Sequence, residues 1–180
     1  NGNKTITTGG GGVILTNDDV LGPLAKHLTT TAKLPHKWEF EHDHIAWNYR
    51  MPNLNAALGM AQLDKFDRFL DQKRQLALAY GEAFAGLEGV RFVFEPEATE
   101  SNYWLCAIQL DEPSLELRDE VLQACADASF MARPMWNLLH KQRMYESAPA
   151  AGDSLGGSLD TAIALHASLI CIPSPPTLAE

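Results

Sequence analysis

Residues 52–86 read PNLNAALGMAQLDKFDRFLDQKRQLALAYGEAFAG, and they carry the clearest periodic pattern in the chain. Their apolar side chains recur at steps of three and four residues, which is the spacing of one face of an α-helix. Charged side chains between Asp64 and Arg74 fill the other face. Pro52 suits the first helical turn and Gly86 suits the end. The pattern predicts one long amphipathic helix, bent near its middle.

The residues that follow this helix alternate between strand and helix signals. Period-two patterns alternate with helical periodicity, and glycine, serine and proline separate them. This order predicts a small α/β unit. The predicted elements are strands at 90–94, 103–110 and 130–136, a helix from Pro113 and Ser114 to Ala128, a flexible turn at 152–158, and a helix at about 159–169 leading into Cys171 and Ile172.

The residues before the long helix contain a glycine run, an apolar run and a long polar segment. Residues 10–16 predict a short buried strand after a glycine turn. Asn17 and Asp18 offer an N-cap for a helix that runs to about His27. Residues 29–47 sustain neither helical nor strand periodicity, which predicts a loop, and loops of this length are often functional.

Composition and charge limit the class of protein. The 180 residues carry a net charge of -9, which argues against a nucleic-acid or anionic-membrane partner. No apolar run approaches the ~18 residues that a membrane-spanning helix needs. Three widely spaced cysteines suit reduced thiols in a cytoplasmic protein. The chain starts at Asn1, without an initiator methionine, so we expect it to be the downstream part of a longer protein.

Lys4 lies just ahead of Gly9-Gly10-Gly11-Gly12, and this placement makes it the leading candidate for a reactive residue. Catalytic lysines form Schiff bases with carbonyl cofactors. Glycines allow the backbone to come close to such a group. A solvated surface lysine on an ordinary glycine turn is the alternative. The run lacks the Gly-Lys-Ser/Thr ending of a phosphate-binding loop, so a nucleotidase is a weak interpretation.

Three further polar clusters have both an ordinary and a functional interpretation. His42-Asp43-His44 lacks another histidine or cysteine at ligand spacing, so a polar loop surface is favoured and no metal site is expected. The segment 48–54 precedes a helix and is either its cap or an anion site. His140 lies near Arg133 and Arg143, in either a surface patch or a pocket for a phosphorylated substrate.

Two stretches carry a family resemblance. Asn1–Gly12 (NGNKTITTGGGG) and Asn48–Leu63 (NYRMPNLNAALGMAQL) resemble the two signature stretches of the DegT/StrS sugar aminotransferases, and details resemble their LegC-type branch. The resemblance implies an α/β chain with the fold of a fold-type I aminotransferase. It also implies a division into a remnant of the large cofactor-binding domain at 1–50, a long linking helix at 51–87 and a small C-terminal α/β domain at 88–180.

The resemblance also implies a chemistry. Lys4 matches the lysine that binds pyridoxal 5′-phosphate (PLP) as a Schiff base and moves the proton, and Asn48 matches the asparagine that reaches the PLP phosphate of the neighbouring subunit in a homodimer. Arg50, His140 and Arg133 are weaker candidates for substrate contacts. The implied reaction is amination of a 4-keto-6-deoxy nucleotide sugar, with L-glutamate as amino-acid donor, for surface glycan biosynthesis.

The resemblance places the ring-stacking residue, the acidic partner of the pyridine nitrogen and most of the phosphate cradle upstream of this chain. We therefore expect the 180 residues to be inactive alone. A non-catalytic binding or regulatory module, or a decayed relative that retains the small domain, is the alternative.

Overall fold

The computed structural model describes residues 2–148 and 159–179, so the turn expected at 152–158 lies outside the described residues. The chain divides into two units, Asn1–Asp67 and Arg68–Glu180. None of the helices in the described part is long and apolar enough to cross a membrane. The elements are α1 (Leu21–Thr29), α2 (Asn53–Leu63), α3 (Phe66–Phe84), β1 (Val90–Phe92), β2 (Cys106–Leu110), α4 (Leu115–Asp127), β3 (Arg133–Pro134), α5 (Asp160–Ser168) and β4 (Leu169–Ile172), with 3-10 turns at Leu139–Lys141, Arg143–Tyr145 and Pro176–Ala179.

The buried strand predicted at 10–16 is wrong. The segment is irregular and its apolar side chains are exposed, Leu15 to 86%. A strand requires a neighbour that completes its ladder of hydrogen bonds, and no described residue pairs with this segment. Periodicity reports which residues are apolar, but it does not supply the partner.

The helix predicted after Asp18 is confirmed, with a later start. The Asp18 carboxylate accepts hydrogen bonds from the backbone N–H groups of Val20 and Leu21, both at 2.8 Å. These bonds lower the pKa of Asp18. They also close a turn ahead of α1, so that the regular helix begins at Leu21.

Residues 29–47 form a loop, as predicted, but the loop is pinned at two points. Isolated antiparallel bridges join Thr30 to Asn48 and Lys33 to His42. The Thr31 N–H also donates to the Trp47 carbonyl at 3.0 Å. The segment therefore folds back on itself, and its last residues lie beside the end of α1.

The long helix predicted at 52–86 is interrupted at Asp64 and Lys65, near the predicted bend, so the prediction of one continuous helix is wrong. The Lys65 N–H donates to the Gln62 carbonyl at 3.2 Å. This hydrogen bond spans three residues, as in a 3-10 turn, and not four as in an α-helix. Pro52 caps α2 instead of occupying its first turn. The interruption leaves α2 in the first unit.

The predicted α/β character of the second unit is confirmed. Its strands form one antiparallel sheet in the order β1–β2–β4–β3. One row across the sheet consists of Phe92, Ile108, Ile170 and Pro134. The predicted helix at 114–128 is confirmed as α4, with the Ser114 hydroxyl accepting from the Leu117 N–H at 3.2 Å.

Two of the three predicted strands in this unit are much shorter than expected. Tyr103 has a φ of +43°, which is incompatible with a strand, so β2 starts only at Cys106. The strand expected at 130–136 is reduced to β3, at the edge of the sheet. Pro134 has no N–H to donate, which restricts it to an edge position.

A buried lysine lies at the centre of the second unit. The Lys73 ammonium donates to the carbonyls of Tyr103, Trp104 and Ser174, at 3.2, 3.4 and 2.7 Å. Burial lowers its pKa. The three bonds tie α3 to the residues before β2 and after β4, beside an apolar core formed by Ala77, Phe92, Tyr103, Cys106, Ile108 and Ile170.

We expect Gly81→Ala to destabilise the chain, although alanine is about 1 kcal/mol better than glycine inside a helix. A Cβ at Gly81 would lie 2.1 Å from Cζ of Phe94, whose ring packs edge-on against Phe92 at 5.0 Å. Overpacking of this kind costs about 1–3 kcal/mol. Urea unfolding measures the effect. In a Phe94→Ala background the same substitution should stabilise, and Gly86→Ala, which meets nothing within 4 Å, is the control. Stabilisation by Gly81→Ala alone would contradict the close approach.

We expect Glu95→Gln to remove a pH-dependent part of the stability. The Arg74 guanidinium donates to both oxygens of Glu95, at 3.3 and 2.5 Å, and lowers the pKa of that carboxyl, helped by the Ser101 N–H. A lowered folded-state pKa stabilises above the unfolded value, and this stabilisation is lost as the pH falls. The stability difference between wild type and variant should therefore shrink below about pH 4.5. Glu97→Gln, at an exposed position, is the control, and a pH-independent difference would contradict the ion pair.

Candidate active site

Lys4 lies in a bend at the start of the first unit, and its side chain is exposed. The next residue, Thr5, buries its hydroxyl oxygen, and that oxygen has no hydrogen-bond partner among the described residues. A buried hydroxyl without a partner is costly, so such groups are frequently found where a ligand or water binds. The residue that follows Lys4 in sequence thus offers a polar atom to a bound molecule.

One face of α2 holds the segment that follows Lys4. The Asn55 side-chain amide donates to the Thr8 carbonyl at 2.5 Å, and the Thr7 N–H donates to the Gln62 side chain at 3.3 Å. Between them, a Cβ on Gly59 would lie 2.9 Å from the Thr8 methyl. Positions 55, 59 and 62 share one face of a helix. The stretch 48–63 thus contacts the stretch 1–12 within one chain.

The glycine run adopts a backbone that other residues rarely adopt. Gly9 has a φ of +78° and Gly11 a φ of +123°. The Gly9 N–H donates to the Thr7 hydroxyl at 2.9 Å, which closes the turn. A Cβ on Gly11 would lie 3.1 Å from the Met51 methyl. Glycine is therefore required here by conformation and by the nearness of Met51.

A cavity of about 940 Å³ lies in the first unit, within the size range of small-molecule sites. Three of its side chains can hold an anion: the Lys26 amine, the Asn48 amide and the Arg50 guanidinium. Its lining residues are Gly10, Gly11, Gly12, Val13, Ile14, Thr16, Gly22, Ala25, Lys26, Thr29, Asn48, Tyr49, Arg50, Met51, Pro52 and Asn55.

Backbone pairing with the end of α1 positions Asn48 and Arg50. The Tyr49 N–H donates to the Thr29 carbonyl at 2.8 Å, and Asn48 bridges to Thr30. The Arg50 guanidinium donates to the Thr30 carbonyl at 3.2 Å. Both side chains remain exposed, so they can contact a ligand without losing this support.

The five candidate residues from the sequence are only partly brought together. Asn48 and Arg50 share the cavity, while Lys4 is not among the residues that line it. Arg133 and His140 lie in the second unit. Arg133 is exposed in β3, with its guanidinium 3.5 Å from the Met131 sulfur, and His140 is half-buried in a 3-10 turn.

Sequence reasoning missed Lys26, Asn55 and Gln62. Asn55, Gly59 and Gln62 form a stripe of polar or small residues along an otherwise apolar helix. That stripe at helical spacing is a signal that could have revealed them. Lys26 offered no such signal in the sequence. Only the fold places it in the lining of the same cavity as Asn48 and Arg50.

The sequence is similar to those of known proteins. The chain is 35% identical to EpsN of Bacillus subtilis, named as a pyridoxal phosphate-dependent aminotransferase, over its full length and 45% of EpsN. It is 36% identical to a GDP-perosamine synthase of Vibrio cholerae, over 81% of the chain and 39% of that protein. The chain thus spans less than half the length of these relatives.

Solved structures and the family model give the same assignment. The fold is similar to that of the aminotransferase TlmJ from Streptoalloteichus hindustanus, with a TM-score of 0.76 and 21% identity over 89% of this chain and 41% of TlmJ. The profile of the DegT/DnrJ/EryC1/StrS aminotransferase family matches residues 1–180. The chain therefore belongs to the DegT/DnrJ/EryC1/StrS aminotransferase family.

Proposed function

We propose that the protein carrying this chain transfers an amino group to the C4 carbonyl of a 4-keto-6-deoxy nucleotide sugar, with L-glutamate as donor, in surface glycan biosynthesis. Family membership over residues 1–180 supports the reaction class. The similarity to a GDP-perosamine synthase and to a dTDP-4-dehydro-2,3,6-trideoxy-D-glucose 4-aminotransferase supports the substrate class. The observation that carries the proposal is the position of Lys4. This residue is exposed, and the segment that follows it is held by α2.

The cofactor of this family is pyridoxal 5′-phosphate, and the residues of the first unit fit it chemically. A primary amine suits an aldehyde, and Lys4 provides one. The buried Thr5 hydroxyl needs a hydrogen-bond partner, which a polar cofactor can supply. Lys26, Asn48 and Arg50 suit a phosphate group. Lys4 and Thr5 would therefore contact the chain's own cofactor, and the three phosphate-binding side chains would contact the phosphate of a partner's cofactor or of the substrate.

Lys4 is the proposed acid–base residue of the transfer. When bound, pyridoxal phosphate would supply an electron sink for the negative charge left when the α-carbon of the donor loses a proton. The Lys4 amine, when unprotonated, would accept that proton at Nζ, and in the second half of the transfer its protonated form would deliver a proton to C4 of the sugar. Two hydrogen bonds hold residues 7 and 8 on α2, one donated by the Asn55 side chain and one accepted by the Gln62 side chain. They restrict the positions that Nζ of Lys4 can reach.

Asn48 and Arg50 are the proposed phosphate and substrate contacts. We place Asn48 at the cofactor phosphate of a neighbouring subunit, in a homodimer with shared active sites. Exposed apolar side chains on α2, including Leu54, Met60 and Leu63, support a subunit contact, because such surfaces are normally covered. Arg50, His140 and Arg133 are each proposed as separate, weaker candidates for substrate contacts, because their side chains suit a charged diphosphate.

The relatives' lengths bear on what the chain does by itself. The 180 residues match 45% of EpsN, and 145 of them match 39% of the Vibrio enzyme. We propose that they do not catalyse transamination alone, and that the activity belongs to the full-length gene product. Comparison of purified chain and full-length protein, with the same keto-sugar nucleotide and L-glutamate, tests this directly. Turnover by the chain alone would contradict it.

Lys4→Ala should lower the transamination rate of the full-length protein by at least about 10²–10⁴-fold, because it removes the proposed proton carrier. Borohydride reduction with the cofactor present, followed by peptide mass mapping, should place the cofactor on Lys4. Lys37→Ala, at an exposed position in the same unit, should leave both readouts unchanged. Attachment to another lysine, or full activity of Lys4→Ala, would overturn the proposal.

Asn55→Ala should lower kcat by about 10–100-fold, the effect of a small misplacement of a catalytic group, with a much smaller change in KM. The substitution removes the 2.5 Å hydrogen bond to the Thr8 carbonyl but does not remove the Lys4 amine, which loses only its positioning. Asn53→Ala, at an exposed position on the same helix, is the matched control. Steady-state kinetics checks both variants, and equal effects at the two positions would show that Asn55 does not position Lys4.

A further inference from the structure

Three metal-ligating side chains converge in the first unit outside the cavity. His27 lies in the last turn of α1, and Asp43 and His44 lie in the loop 29–47. Nε2 of His27 is 2.6 Å from Oδ1 of Asp43, and Nδ1 of His44 is 2.9 Å from the same oxygen. The three ligand atoms all lie within 4.8 Å of one another.

From this convergence we propose that His27, Asp43 and His44 form a binding site for a divalent transition-metal ion of the zinc type. Two imidazole nitrogens and one carboxylate oxygen are a common ligand set for zinc, and three protein ligands leave a fourth position for water. Zinc bonds of about 2.0–2.2 Å place tetrahedral ligand atoms roughly 3.4 Å apart. The observed separations require shifts of about 1 Å to reach that geometry.

The fold supplies the ligand that the sequence lacked. No metal site was predicted from the sequence, because no further histidine or cysteine lies at ligand spacing from His42 and His44. In the structure the second histidine of the cluster is His27 and not His42. His27 lies 16 residues from Asp43 along the chain. His42 is engaged elsewhere, with its Nδ1 2.6 Å from the Thr31 carbonyl. His42 and His44 therefore differ in role although they are two residues apart.

The backbone between the ligands is already in place. Ala32 is fully buried, and its N–H donates to the His27 carbonyl at 2.8 Å. Its carbonyl accepts from the Asp43 N–H at 3.3 Å. Ala32 thus links the two segments that carry the ligands. A preorganised backbone lowers the entropy cost of bringing ligands together.

The cluster offers a carboxylate oxygen and two imidazole nitrogens, which are ligand types that suit such a cation. The three side chains are part-exposed, with relative exposures of 29% for His27, 36% for Asp43 and 55% for His44, which leaves a path for the ion.

A metal here would act as a clip between α1 and the loop. The loop continues directly into Asn48 and Arg50, and the Trp47 N–H already donates to the Leu28 carbonyl at 3.0 Å. An ion bound to both segments would stabilise the folded state over the unfolded one, because the unfolded chain does not hold the three ligands together. This role is independent of the proposed transamination.

Calorimetric titration of the untagged chain with zinc chloride, after removal of bound metal with a chelator, tests the site. We expect saturable binding of one ion per chain and an increase of Tm with zinc. His27→Ala and His44→Gln should each weaken binding at least about tenfold. His42→Ala should not change it, since His42 faces the Thr31 carbonyl.

Cobalt spectra provide a second readout that does not depend on the variants' stability. A site of nitrogen and oxygen ligands gives weak visible bands, whereas a cysteine site adds intense thiolate charge-transfer bands. Such bands would assign binding to Cys106, Cys125 or Cys171 and overturn the proposal. Absence of saturable zinc binding, or equal loss of binding in His42→Ala and His44→Gln, would overturn it as well.

Discussion

The hydrogen bond from the Asn55 side chain to the Thr8 carbonyl is the constraint on which the candidate site depends. It joins residues 47 apart in sequence and brings the segment after Lys4 against α2. Gly59 permits this contact because a side chain there would meet the Thr8 methyl. Once the segment lies on α2, the glycine run has to turn sharply, and Gly9 and Gly11 take up left-handed conformations that only glycine adopts without strain.

The loop 29–47 is the second support of the first unit. It is irregular, yet its ends and its middle are held by backbone bonds that involve Thr30, Ala32 and Lys33. Thr31 and Ala32 have φ values of +75° and +48°, which costs energy for residues with a Cβ. Such a backbone persists only where the surroundings determine it. The position of Asp43 beside His27, and the positions of Asn48 and Arg50 at the cavity just after the loop, follow from this backbone conformation.

Local signals predicted much of the second unit, because its elements are specified by nearby residues. Ser114 caps α4 as expected, since an N-cap needs only its own side chain and the next turn. Pro134 confines β3 to the sheet edge for an equally local reason. The buried Lys73 was placed on the charged face of the predicted helix, and only packing shows that three carbonyls surround it. The strand expected at 10–16 failed because a strand depends on a partner, which periodicity does not identify.

The sequence alone was enough to assign the family and to predict Lys4 and Asn48 as candidates for cofactor contacts, because both depend on short contiguous stretches. The contacts that hold the candidate residues in position are visible only in the tertiary structure. Asn55 and Gln62 contact the Lys4 segment across 47 and 55 residues of sequence, and Ala32 links His27 to Asp43. The stripe of polar and small residues on α2 marks one side of these contacts, but it does not specify which distant segment the chain brings against it.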